Sequence, residues 1–191
     1  MKSTIWFALS LLIFAGCKKD ESLAPLTPPT GIFFISGNFE GNDFKWEAGQ
    51  YDFNTYVTYS TATNLQIYTC SFMQGQKLIS IGMSIPFSGS KPDMAFFTGL
   101  FKAGDRTFIY PGSQIGINME YFNDPDRANS YFSGVQPSTS YFRITSSKKR
   151  VYNGKTFMDV KGEFDCMVHP YDMGPDSRFK NGKFYCSFVD E

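Results

Sequence analysis

A single histidine serves all 191 residues, so no multi-histidine metal centre can be assembled from this chain. Excess charge of either sign is missing too: 18 Lys and Arg balance 18 Asp and Glu. That balance gives no broad electrostatic reason to expect nucleic acid or an anionic membrane face as partner. There is no long hydrophobic run either. The most apolar stretch, Ile5 to Ala15, has eleven residues, well short of the roughly twenty that cross a bilayer as a helix. No nucleophile elbow is present, since Gly112-Ser113 lacks the required spacing. His169 precedes Pro170 at a strand end, the position of a solvated loop residue. Asn123, Asp124 and Asp126 in YFNDPDR could ligate calcium through oxygen, but Asn, Asp and Pro together are first of all turn formers. Glu163 and Asp165 share a strand face with Lys161 and read as solvated surface. The chain therefore offers no catalytic residues, metal site or cofactor site, and is not read as an enzyme.

What is present begins at the N-terminus. Lys2 lies in a short polar start, an apolar segment follows, and the small residues Ala15 and Gly16 precede Cys17. This is the tripartite order of a secretory signal peptide. Phe14-Ala15-Gly16-Cys17 resembles a bacterial lipobox, in which the residue after the cleavage point is a cysteine that becomes acylated. The resemblance implies a signal peptide over residues 1–16 and lipid attachment at Cys17. Two or more acyl chains hold a protein stably at a membrane, at about 0.8 kcal/mol per buried methylene. The run Lys18-Lys19-Asp20-Glu21 looks like the tags that send Bacteroidota-type lipoproteins to the outer face of the outer membrane. The same charges also suit a flexible tether, and the periplasmic face is the alternative address. SLAPLTPPT then supplies prolines at 25, 28 and 29. Residues 17–30 are thus a lipidated, Pro-rich stalk, able to stand the next domain off by up to ~40 Å at about 3.1 Å per residue.

Residues 31–191 form one expected domain, long enough for a real core. Aromatic side chains make up 18% of the chain, and with frequent Ser, Thr and Gly this enrichment indicates an all-β fold. Period-two alternation marks the strands. Ile79, Ile81, Met83 and Ile85 alternate with Ser80, Gly82 and Ser84. Phe164, Cys166 and Val168 alternate with Glu163, Asp165 and Met167, and Phe184, Cys186 and Phe188 alternate with Lys183, Tyr185 and Ser187. Weaker strands are expected at 32–39, 44–48, 51–59, 65–73, 107–110, 115–121 and 141–145, with one short helix within 92–102. Glu40-Gly41, Gly75-Gln76 and Asn153-Gly154 have hairpin character, and Asn181-Gly182 supplies a turn glycine. Nine to eleven antiparallel strands suggest a β-sandwich, with a lipocalin-like β-barrel as the alternative.

With Cys17 acylated, Cys70, Cys166 and Cys186 remain, an odd number, so at least one stays unpaired. Cys166 and Cys186 fall on the apolar faces of the last two strands. If they stand directly opposite, a disulfide could form in an oxidising compartment; otherwise they are small buried hydrophobes. Cys70 is read as buried and inert. In YDFNTYVTY, Tyr51 and Phe53 share one strand face and Tyr56 lies on the other; with Tyr59 they are candidates for an aromatic ligand platform, the alternative for each being the core. Trp46, alternating with Phe44 and Ala48, is assigned to the core.

GIFFISGNFEGNDFKWEA near the start, SYFRITSS later, and VKGEFDC followed by FKNGKFYCSF at the end resemble small Bacteroidota-type lipoproteins of uncharacterised function. These open with a strand, a glycine turn and an aromatic strand, and close with Gly-x-Phe and Asn-Gly-x-Phe strands. The likeness covers most of residues 31–189 and implies an all-β, sandwich-like domain on a lipid anchor. It carries over no catalytic residue, and the cysteines at 166 and 186 depart from its usual pattern. Two functions remain open: an envelope lipoprotein that binds a ligand such as a glycan, or a structural or assembly component whose partner is another envelope protein.

Overall fold

The computed structural model describes residues 32–60, 63–87, 89–110, 115–123 and 130–190. The leader, the stalk and Cys17 lie outside the described residues, as do Gly112, Ser113, Asp124 and Asp126. In chain order the elements are β1 (Phe34–Phe39), β2 (Asn42–Glu47), β3 (Asp52–Ser60), β4 (Leu65–Gln74), β5 (Lys77–Pro86), α1 (Met94–Leu100) and β6 (Gly104–Arg106). They continue with β7 (Gly116–Phe122), β8 (Ser130–Ser133), β9 (Tyr141–Tyr152), β10 (Lys155–Pro170) and β11 (Ser177–Asp190). With 68% strand against 5% helix, the fold is all-β.

The strands form one antiparallel sheet in the order β2-β1-β11-β10-β8-β7-β5-β4-β3, with β9 and β6 branching from β10. The sheet curls strongly into a half-barrel. Its two halves face each other as sandwich layers do, with β11 packed against β3 and β4, while the curve between them is that of a barrel. Alternation decides which residues face inward. Ile79, Ile81, Met83 and Ile85 are buried at 2% exposure or less on the concave face, beside Cys70, Phe72, Phe164, Val168 and Phe188.

The curl is built on glycine. Gly162 pairs with Phe184, and Phe164 pairs with Gly182. A Cβ at Gly162 would come within 2.4 Å of the Phe184 ring, and one at Gly182 within 2.5 Å of the Phe164 ring. Each phenylalanine thus lies over the glycine across from it, the arrangement that lets a sheet bend without leaving a void. This is the physical content of the Gly-x-Phe repeats in the last two strands. Asn181-Gly182, expected as a turn, lies instead inside β11. Asn181 has φ of 53°, and the pairing of β10 with β11 slips between Phe164 and Cys166, so the pair forms a β-bulge that sharpens the bend. Asn153-Gly154 does turn a hairpin, with φ of 49° and 74°, as both central residues of a type I′ turn require.

Two further expectations differ from the structure. The segment 107–110 makes only an isolated bridge at Phe108, while the neighbouring residues Gly104–Arg106 form β6. The short β8 was not expected at all. The disulfide expectation is corrected as well. Cys166 lies opposite Phe179 and Cys186 opposite Val160. Six positions along β10 separate those partners, roughly 20 Å at about 3.3 Å per residue, and a disulfide tolerates a Cα separation of about 7 Å at most. Cys70, Cys166 and Cys186 are all free and buried.

Candidate functional site

Among the described residues the concave face is open at one end of the curled sheet, and a cavity of ≈ 490 Å³ lies between the β1–β2 hairpin, the β4–β5 hairpin and the adjoining ends of β7, β8 and β11. Strand alternation sets its walls. In the β1–β2 ladder Ile35 pairs with Trp46, Gly37 with Phe44 and Phe39 with Asn42, so Trp46, Phe44 and Phe39 all turn inward. Gly37 makes room for this, since a Cβ there would touch the Phe44 ring at 3.4 Å. From the other side a continuous cross-strand row runs Phe72–Ile79–Tyr121–Tyr131. Phe179 on β11 closes the floor between the two.

The rings are held against one another. Phe39 sits 4.5 Å from Phe179, 4.9 Å from Tyr121 and 5.5 Å from Tyr131. Tyr121 and Tyr131 lie nearly parallel, with an interplanar angle of 18° at 6.2 Å. Phe44 meets Phe179 edge-on at 5.8 Å. Around these rings stands a polar rim of Glu40, Asn42, Gln74, Lys77 and Asn123. The Tyr121 hydroxyl donates to Asn123 Oδ1 at 3.1 Å. Burial first, then the Glu40 carboxylate and Tyr131, push the Tyr121 phenol above its ordinary range, so it remains a neutral hydroxyl. Ser177 Oγ donates to Glu40 Oε1 at 2.5 Å, tying the hairpin tip to β11.

Such a site can grip a ligand by its apolar faces and orient it with hydrogen bonds. Its volume falls within the range of about 300–1,000 Å³ usual for small-molecule sites. Among the described residues no histidine or cysteine lines it. His169 is elsewhere, with Nδ1 2.8 Å from Asp176 Oδ1 and its ring 5.9 Å from that of Phe132. Among the described residues no group of three or more His, Cys, Asp or Glu could hold a metal ion. Of the YFNDPDR residues, Asn123 stands on the cavity rim; the other two lie outside the described residues. Glu163 and Asp165 are taken up by Arg143 at 3.7 Å and Arg178 at 2.5 Å.

The four candidate platform aromatics do not assemble into one surface. Phe53 packs between Phe33 and Phe72, 4.9 Å from each. Tyr56 points to the convex face and is 42% exposed; Tyr59 meets Phe87 at the far end of β3. Tyr51 alone adjoins the cavity: its ring is 6.3 Å from Trp46, and its hydroxyl accepts from Gln74 Nε2 at 3.3 Å. Trp46 is in the core as expected, 6% exposed, but it also forms part of the cavity wall. Sequence reading missed Phe39, Phe44, Tyr121, Tyr131 and Phe179 as a group. Their common signal is position: each is an inward-facing aromatic near the end of its strand, where Phe39, Phe44, Tyr121 and Tyr131 stay half-buried over the enclosed Phe179.

Among the described residues no helix is long and apolar enough to cross a membrane. Compared with family models, curated proteins and solved structures, the chain matches none of them.

Proposed function

We propose that this chain is a non-catalytic, ligand-binding lipoprotein of the outer membrane, anchored through acylated Cys17 and facing the cell exterior. The observation that carries the binding reading is the open, aromatic-walled cavity with a rim of neutral amides, hydroxyls and one charge of each sign. A sugar presents the matching chemistry, with C–H faces to rest on Trp46, Phe44 and Tyr131 and hydroxyls for Asn42, Gln74 and Asn123. A glycan is therefore the ligand class best suited to the site. The leader and stalk support the address, through the resemblance of Phe14–Cys17 to a lipobox.

From residue 31 onward Trp46 is the sole tryptophan, so its fluorescence reports the cavity directly. A glycan array probed with residues 31–191, followed by fluorescence titration of each hit, tests the reading. A saturable change at Trp46 is expected and should be lost in Phe44→Ala; array binding with Trp46 silent would move the ligand elsewhere. Labelling with radioactive palmitate, comparing the full chain with Cys17→Ser, tests the anchor separately.

A second reading is favoured by one feature. Among the described residues β3 ends the sheet, pairs only with β4 and presents a nine-residue edge. Such an edge can accept a strand from another envelope protein, and crosslinking from Asn54 or Thr58 in cells would identify that partner.

A further inference from the structure

The cysteine that Cys186 faces is not Cys166. Cys70 lies on the concave side of β4 and Cys186 on the concave side of β11, strands of opposite halves of the curled sheet that pack against each other. Both are 0% exposed, and they stand at matching levels of the two strands: two residues along on the same faces, Tyr68 of β4 and Phe188 of β11 both meet the Phe101 ring, at 6.2 and 4.6 Å. Cys166 has a different neighbour, Met119, whose sulfur is 4.0 Å away. The odd number of thiols thus resolves into one facing pair and one single residue.

We infer that Cys70 and Cys186 are a disulfide-forming pair, which locks β4 to β11 across the core when the chain folds in an oxidising compartment. A disulfide of a small thiol or of an oxidoreductase is the oxidant. The thiolate of one cysteine attacks it, forming a mixed disulfide and releasing one donor thiol. The second cysteine's thiolate then attacks its partner's sulfur in that mixed disulfide and expels the second donor thiol. Two cysteine thiols become one S–S bond, the donor disulfide is reduced to two thiols, and the two protons pass to them. The bond closes the chain from 70 to 186 into a long loop, the case in which a cross-link constrains the unfolded chain most. Burial, reinforced by the neighbouring Cys70, raises the Cys186 thiol well above its ordinary range. The exchange therefore belongs to folding, before the sheet has curled shut, when both thiols are still in water.

The test is a thiol map of the full chain, exported by a bacterium and purified from its envelope without reductant. The protein is denatured in iodoacetamide, digested and analysed by mass spectrometry. The expected result is a peptide pair joined through Cys70 and Cys186, lighter by about 2 Da than the two free-thiol peptides together, with Cys166 alkylated. Alkylation of both Cys70 and Cys186, or a link involving Cys166, overturns the inference. Cys166→Ala should retain the linked pair. Refolding the reduced chain with and without oxidised glutathione gives a second measurement: the oxidised form should run faster on a non-reducing gel, and identical mobilities would count against the bond.

Discussion

The two ends of the curled sheet use the same kinds of side chain and finish differently. At one end α1 is a plug. Phe97 and Phe101 are both wholly buried, Phe101 stacked on Phe188 at 4.6 Å and Phe97 set 5.0 Å from Tyr68. At the other end Phe39, Phe44, Tyr121 and Tyr131 are only partly buried, and among the described residues no helix is laid over them. A helix of seven residues cannot stand alone in water, so the plug depends on its fastenings. Asp93 caps its start by accepting from the Phe96 amide at 2.7 Å, and the Arg106 guanidinium donates to the carbonyls of Leu100 and Lys102 at its end. The contrast teaches that aromatic richness does not itself mark a site. What marks one is a set of inward-facing rings that the described residues leave partly exposed.

The strongest way to break the comparison is to remove a ring from each end. Phe101→Ala should cost about 3–5 kcal/mol of stability, as for a fully enclosed phenylalanine, and leave ligand affinity unchanged in whatever fraction remains folded. Phe44→Ala should cost about 1–2 kcal/mol, since the half-buried ring gives up less apolar contact, while weakening ligand binding ten-fold or more. Urea denaturation and Trp46 titration of both variants measure the two quantities. Equal stability losses would mean that the open end is ordinary core, and the ligand reading would fail with it.

How far the sequence reaches is shown by particular residues. Ile79 to Ile85 and Phe184 to Phe188 declare their faces because one side of each strand is apolar and the other is not. Asn153-Gly154 and Glu40-Gly41 declare hairpins because glycine, and after it asparagine, tolerates the positive φ that a tight turn needs. Asn181-Gly182 has the same local chemistry and became a bulge. The deciding contact is the Phe164 ring lying over Gly182, a tertiary fact with no local signature. The cavity was hidden for a similar reason. Phe39, Tyr121 and Phe179 are far apart in the chain, and only the curl that brings β1, β7 and β11 together makes them neighbours. Cys70 and Cys186 met in the same way, across the sheet instead of along the final hairpin.

Alkali should sharpen the comparison by reading one phenol at each end. Burial, then Asp190 and Tyr59, raise Tyr68 far above the ordinary tyrosine range; burial, Glu40 and Tyr131 raise Tyr121. A group whose pKa is higher folded than unfolded contributes stability that is complete below the unfolded value, about 10 for tyrosine, and is lost as pH rises through the folded one. Burial raises the thiols of Cys166 and Cys186 in the same sense, so any that remain reduced start this loss from about pH 8.5. Stability should therefore be flat through neutrality and fall above about pH 8.5. Ultraviolet titration of Tyr121→Phe and Tyr68→Phe assigns the two phenols. Saturating ligand should delay ionisation of Tyr121 and leave Tyr68 untouched; the reverse order would exchange the roles of the two ends.

The smallest expected effect separates the cavity from the convex face. Tyr56 is 42% exposed on that face, in the cross-strand row Tyr56–Thr69–Gly82. Burial first, then Glu120, raise its phenol, with the Thr69 side chain opposing them. Losing one exposed ring should change stability by no more than about 0.5 kcal/mol. Tyr56→Ala should also leave binding at Trp46 unchanged, because β3 lies between this ring and the concave side. A ten-fold loss of affinity from that substitution would place the ligand on the outside of the sheet, where a stacking platform and an exposed strand edge would then form a single surface.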